Sequence, residues 1–453
     1  MMSEASELIF NAKKLKIISH HDSDGIASAA IAVFVARRLG LKYETVIRNQ
    51  LLPEDFSDSS YIYWFNDLGS ARIKDMKGIS GVITDHHTPV VNEAHYTENG
   101  NNIYQFNPHL EGLDGSVSQS GSTTTFLFSV NLIPEVSSIS HIPVIGSVGD
   151  LHDKKFCRLV DSDREVMLLA ERIGLIERKE DIRYFGRSSK SISYMLRFGN
   201  DPKISLLYDN PEKVSQFLES HGLDREQSRK IRWIDLDEGK RKEIINSLAG
   251  LIESEGGDVS RLTGEVYEVK GEPRSSIIKD CRDFSSVINA TSRKGRPDIG
   301  IRICLFERGE TLNEAMRLYS DHLDTLRKAS KALDGIESKR IGRVVLYDFG
   351  ENLENNITGT VATRIITHKK IPESSIVVVM ANLGDYKKIS ARISLELSER
   401  LDLSLLFRNA AMGVGGSGGG HRNAAGATIP KGMEMEFINK LNEMIDSSLN
   451  LQG

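Results

Sequence analysis

The sequence predicts an α/β protein: an N-terminal domain with a mainly parallel sheet, a helical connector, and a smaller C-terminal α/β domain. Three observations carry this. Over roughly the first 200 residues, short β-prone runs alternate with helical patterns, the order that builds a parallel sheet covered by helices. A charged stretch with few β-branched runs follows, and β-prone runs then resume. The expected boundaries are 1–198, 199–262 and 263–453.

In chain order, Leu15 to Ser19 is an apolar run that ends on polar residues, and Ile26 to Arg38 is rich in Ala, Ile and Val, as in a buried helix. Tyr61 to Phe65, Gly81 to Thr84 and Ile103 to Phe106 are the next strands. Asp224 to Asn246 has the pattern of a connector helix. Gly264 to Val269, Asp298 to Phe306, Arg343 to Phe349 and Ser375 to Met380 are expected strands of the last domain, interrupted by a helical insertion over 311–340.

Composition limits the function. Of 453 residues, 39% are hydrophobic and 27% charged, the balance of a folded, soluble chain. No apolar run reaches the roughly 18 residues that span a bilayer, and the first residues lack a signal peptide's apolar stretch. Cys157, Cys281 and Cys304 lie too far apart for a zinc site or disulfide framework, so a cytoplasmic protein without a membrane partner is expected. A net charge of −5 argues against a broad duplex-binding face and leaves room for a narrow phosphate site.

The chemistry-bearing residues follow strands. Ser19 to Gly25 reads SHHDSDG: Asp22 and Asp24 can hold hard divalent cations, and His20 suits a borderline ion such as manganese. Asp22 is equally well read as a helix N-cap. Asp67 follows the YIYWF strand, where a lone Asp is more often a turn former. Asp85-His86-His87 follows the next strand, and its adjacent imidazoles point different ways. Asp150 lies in IPVIGSVGDLHD, where His152 or Asp153 could take its place. Each signal is weak alone. Together they put carboxylates and imidazoles at four element ends, and two metals about 3.5–4 Å apart need such a set with one carboxylate shared. Near the C-terminus, Gly418 to Ala427 reads GGGHRNAAGA. Gly419 and Gly420 let backbone amides approach a phosphate, and His421 can donate to it. Ser390 and Arg392 lie in the strand-like KISARIS, which suits phosphate binding; Arg392 is as readily a solvated surface residue.

These motifs, in this order, resemble the DHH phosphoesterase family, named for the triplet at Asp85, His86 and His87; the glycine-histidine segment resembles its DHH-associated C-terminal domain. The resemblance implies that His20 and Asp22 bind one manganese, that Asp24, His86 and Asp150 bind the other, and that Asp67 bridges them. It implies that His87 faces the substrate phosphate and that Arg392 and His421 bind phosphate. Two Mn2+ are thus expected, with Mg2+ or Co2+ as substitutes.

Residues 289–305 and 355–364 are similar to archaeal RecJ-like proteins, and about 25 residues follow Ala427, too few for the OB-type barrel of bacterial RecJ. The implied function is a RecJ-like exonuclease on single-stranded DNA or RNA, in replication or repair. The alternatives are a hydrolase of short oligonucleotides or nucleoside bisphosphates and a non-catalytic replicative-helicase scaffold. The resemblance further implies the GINS complex as a partner, docking on the 311–340 helix through Leu312, Ala315, Met316, Leu318, Tyr319, Leu323 and Leu326. The plainer reading is that this stripe packs on its own domain.

Overall fold

The computed structural model describes residues 2–368, 371 and 375–450. They form two compact units, 1–319 and 320–453.

The first unit opens with helix α1 (Met2–Phe10) and a six-stranded sheet of β1 (Leu15–His20), β2 (Tyr43–Arg48), β3 (Ile62–Asn66), β4 (Ser80–Thr84), β5 (His95–Tyr96) and β6 (Asn102–Phe106). The strand order is β2-β1-β3-β4-β6-β5, parallel except for β5. Register decides where the site forms. Ser19 pairs with Asn66, Asn66 with Thr84, and Thr84 with Phe106, so His20, Asp67 and Asp85 leave the sheet side by side at its carboxyl edge.

Helix α2 (Ser23–Arg38) follows β1 at once, capped by Asp22, whose side chain accepts from the Gly25 amide at 3.0 Å. Most of α2 is buried, which suits a helix apolar on nearly every side, packed on α3 (Gly121–Leu132) and α4 (His141–Gly149). After α5 (Asp161–Arg172), strand β7 (Ile176–Ile182) leads into α6 (Ile192–Phe198), α7 (Pro211–Ser220), α8 (Arg225–Ser228) and α9 (Glu238–Ser254). These helices share a core around Trp233, Leu218 and Leu248.

The chain returns as β8 (Thr263–Val269), antiparallel to β7, then α10 (Cys281–Arg293) and α11 (Pro297–Cys304), which pack on α2. Two expectations are corrected here. Asp298 to Phe306 is not a strand. Its alternating isoleucines resemble strand periodicity, but Pro297 opens a helical turn and buries Ile299, Ile301 and Ile303 on one short helix. The 311–340 segment is not an insertion in a β-rich domain: α12 (Glu310–Asp334) is one helix crossing the division between units, which falls at 319/320 rather than 262/263. Its apolar stripe packs inward, with Ala315 and Tyr319 buried before the division and Ala329 and Leu333 in the second unit's core.

The second unit holds a sheet of β9 (Lys339–Ile341), β10 (Val344–Asp348), β11 (Ile376–Leu383), β12 (Tyr386–Arg392), β13 (Ser417–His421) and β14 (Ala424–Pro430), in order β13-β14-β12-β11-β10-β9. Only β10 and β11 are parallel. Alternate residues of β11 split into two cores. Val377 and Val379 pack with α13 (Thr358–His368), while Ile376 and Val378 join the cluster of α15 (Leu403–Met412) and α16 (Glu434–Asn450), to which α14 (Leu395–Arg400) adds Leu397. Among the described residues, no helix is long and apolar enough to cross a membrane.

One buried histidine makes the first unit acid-sensitive. His141 is fully buried; its Nε2 donates to the Cys304 carbonyl at 3.1 Å, and its ring lies 4.2 Å from that of Phe306. Burial pushes its pKa from 6.5 down to about 3. The unfolded chain binds the proton first, so stability is lost as pH falls through 6.5 toward 3. Wild type should lose about 1.4 kcal/mol more than His141→Phe between about pH 7.5 and 5.5. Urea midpoints across that range measure it, and parallel curves for the two proteins would refute it.

Candidate metal centre

At the carboxyl edge of the first sheet, three groups of donor atoms converge: His20 with Asp22 and Asp67, Asp67 with His86 and His87, and His86 with Asp150 and His152. Asp67 and His86 each belong to two groups, so the three form one chain of ligands. His20 Nδ1 lies 2.9 Å from Asp22 Oδ2 and 3.3 Å from Asp67 Oδ2. His86 Nε2 lies 3.1 Å from Asp67 Oδ1 and 3.5 Å from Asp150 Oδ2.

Asp67 is the centre of the arrangement. It takes a left-handed backbone, φ 56°, which aspartate tolerates better than most residues. Its side chain is buried, yet among the described residues neither carboxylate oxygen completes a hydrogen bond; each faces an imidazole nitrogen, of His20 or His86. His20 Nδ1 and His152 Nε2 are likewise buried without a hydrogen bond. Orphaned carboxylate oxygens and imidazole nitrogens facing one another are the donor set of a divalent cation such as manganese. A Cβ on Gly121 would lie 2.5 Å from Asp67 Oδ1, so only glycine there leaves this carboxylate its place.

Electrostatics agree. Burial disfavours charged imidazoles, but Asp22 and Asp67 outweigh it and hold the His20 pKa well above the usual range. Asp67, Asp150 and Asp24 do the same for His86. Burial, with the nearby charges of Asp67 and Asp150, raises the Asp24 carboxyl to about 8. Such crowding of like charge is what a bound cation relieves.

Asp24 is the one expected ligand outside the three groups. Its oxygens accept from the Gly121 amide at 2.7 Å and from the Ser122 amide and hydroxyl, at the start of α3. Asp22 caps α2 through Oδ1 and turns Oδ2 toward His20.

Supporting residues complete the site. Asp85 is buried; its carboxylate pairs with His87 Nδ1 at 2.8 Å and accepts from the His86 and His87 amides and from the Ser70 amide. It therefore orients the triplet. His86 Nδ1 donates to the Gly115 carbonyl at 2.6 Å, which turns Nε2 toward Asp67 and Asp150. His152, left open beside Asp150 in the sequence, is held at Nδ1 by buried Asp163 at 2.6 Å. Asp163 and Ser122 carried no sequence signal. Arg293, at the end of α10, carried none either: burial pulls its pKa down against the attraction of Asp22.

In the second unit, register aligns the expected phosphate-binding positions. Ser390 and Gly419 both lie opposite Gly426, and Arg392 and His421 both lie opposite Ala424. Arg392 Nε donates to Thr363 Oγ1 at 3.0 Å, and Ser390 shares a 2.8 Å hydrogen bond with Thr358; both threonines belong to α13. Gly420 has φ 142°, and a Cβ there would lie 2.4 Å from the Ala424 carbonyl oxygen, so the tight β13–β14 approach requires glycine. The His421 side chain lies outside what the structure describes.

Comparison with known proteins agrees with both units. Residues 342–447 match the DHHA1 domain and residues 184–263 the DHH-CID domain. The uncharacterized protein MJ0831 of Methanocaldococcus jannaschii is 24% identical over 449 residues, covering 96% of this chain and 94% of that one. The fold is similar to that of RecJ in complex with Mn2+ from Thermus thermophilus, with TM-score 0.55 and 15% identity over 98% of this chain. The chain spans 55% of the length of that RecJ. CDC45 from Entamoeba histolytica is similar with TM-score 0.66 and 10% identity, over 98% of this chain and 97% of that one. The chain thus carries a DHHA1 domain and a DHH-CID domain, on a fold similar to that of RecJ.

Proposed function

We propose that this protein is a manganese-dependent phosphodiesterase that degrades single-stranded DNA or RNA as an exonuclease, in replication or repair. The observation that carries the reading is the pair of buried, donorless oxygens on Asp67, shared between two groups of ligand atoms. His20, Asp22 and Asp67 would hold one cation, and Asp67, His86 and Asp150 the other, with His152 beside them and Asp24, on α2, held by the first residues of α3. Bound there, two cations supply a water of lowered pKa and neutralise charge on a phosphodiester.

The chain's own residues do the rest. Asp85 fixes the His87 ring by its Nδ1, which orients that imidazole for a hydrogen bond to a phosphate oxygen. Asp163 fixes His152 in the same way. Arg392, braced by Thr363 and the Ala391 carbonyl, supplies a guanidinium for a phosphate, with Ser390, Gly419, Gly420 and His421 at neighbouring positions.

The likeness to CDC45 supports a second reading, a non-catalytic scaffold of the replicative helicase, with GINS as the partner. The filled ligand positions weigh against it. If GINS docks on α12, Tyr319 is not its anchor, since that ring is buried. The test is digestion of end-labelled DNA and RNA oligomers with Mn2+, Mg2+ or Co2+, read on a gel. Shortening of single strands with Mn2+ is expected. Cleavage confined to dinucleotides or bisphosphates would replace the exonuclease reading with that of a small-substrate hydrolase, and no cleavage of any of them would favour the scaffold.

A further inference from the structure

The candidate ligand Asp150 runs directly into a loop, residues 151–159, of which the metal centre uses His152 alone. Both ends of this loop are pinned. Asp153 is buried and accepts from Arg183, at 2.9 Å, and from Arg282. At the far end the Glu265 amide donates to the Cys157 carbonyl at 2.9 Å, and the Leu159 amide donates to the Tyr267 hydroxyl at 2.8 Å. The backbone is forced at two points of the loop. Leu151 and Cys157 take left-handed conformations, φ 64° and 56°, that leucine and cysteine seldom adopt.

What the loop presents is unusual for this acidic chain. Lys154, Lys155 and Arg158 are exposed, and among the described residues none of them is in an ion pair. Phe156 is 49% exposed and Leu151 52%. The Lys155 ammonium stands 5.2 Å from the centre of the Phe156 ring. A pinned loop that exposes an aromatic ring among three cations outside any ion pair, beginning two residues past the candidate ligand His152, has the chemistry of a platform for bases and phosphates.

We infer that Lys154, Lys155, Phe156 and Arg158 form a contact surface for single-stranded nucleic acid beside the metal centre, with a base stacked on Phe156 and the backbone phosphates on the three cations. The inference rests on the single-strand reading above and adds a path for the strand. A duplex keeps its bases stacked on one another and would leave the ring unused, and three cations are few for duplex binding. An acidic peptide would use the charges without needing the ring.

The test is binding of a fluorescein-labelled 20-nucleotide oligo-dT to the full chain in EDTA, by anisotropy across a range of NaCl concentrations. Phe156→Ala is expected to weaken binding about tenfold with the salt slope unchanged, and Phe156→Trp to restore it. Lys154→Ser/Lys155→Ser/Arg158→Ser is expected to lower the slope of log K against log [NaCl] by about two. All four side chains are exposed, so unchanged melting temperatures would verify that the variants fold. If Phe156→Ala binds like wild type, or the triple variant keeps the wild-type slope, the surface is not a strand contact. A slope that falls while Phe156→Ala stays neutral overturns the proposal in favour of an acidic protein partner or duplex. If wild type neither binds nor cuts any oligomer, the single-strand reading fails first, an outcome distinguishable from these.

Discussion

In Mn2+, the Asp67→Asn protein is expected to cleave at least about a hundredfold more slowly than wild type, since loss even of a metal ligand's outer partner costs about 10–100-fold. Its fold should survive. Asparagine tolerates the left-handed backbone at φ 56° nearly as well as aspartate. It also removes a buried carboxylate that receives no hydrogen bond and that raises the Asp24 pKa. In EDTA, Asp67→Asn should therefore melt at or above the wild-type temperature. In excess Mn2+, wild type should gain several degrees that the variant does not, because a ligand bound only by the native state stabilises it in proportion to occupancy. A variant that keeps wild-type turnover would contradict the shared-carboxylate role. One that is inactive because it is unfolded in EDTA would point to a structural Asp67 instead.

The largest expected effect on stability lies elsewhere. Arg187 is buried between three acids, donating to Asp280 at 2.8 Å, Glu268 at 2.7 Å and Asp181 at 3.1 Å. Burial disfavours its charge, but these carboxylates hold the guanidinium above its ordinary pKa. The cluster joins β7, β8 and the start of α10. Arg187→Met would leave buried carboxylates with one cation fewer, at a cost of about 3–5 kcal/mol. Chemical denaturation should show the loss, and protonation of the stranded acids at low pH should recover part of it. A loss under about 1 kcal/mol would mean that Lys179 and Arg241, which also reach Glu268 and Asp181, suffice.

What the sequence made legible follows from periodicity and register. Strand ends are readable where apolar runs stop, and in a parallel sheet those ends align, so SHHDSDG, Asp67 and Asp85-His86-His87 could be placed together before any coordinates. The strand that carries Ser390 and Arg392 was readable for the same reason. Asp298 to Phe306 was not: alternating isoleucines fit a strand and a short helix equally, and Pro297 with Gly300 against Thr291 and Ile26 decides for the helix. The 311–340 stripe was legible as amphipathic, but only packing shows that its two ends serve two different cores. Gly121 and Ser122 were invisible because their roles depend on α3 reaching Asp24 across 97 and 98 residues of chain, and Asp163 because its role depends on α5 folding back onto His152. His152 was visible only as a rival to Asp150, whereas the structure places both beside His86.

The metal centre is tested most directly by the manganese content of the full wild-type chain after equilibrium dialysis, beside Asp67→Asn. The account predicts two Mn2+ bound per wild-type chain and fewer in the variant. Wild-type chain that binds no manganese, or a variant that still binds two, would contradict it.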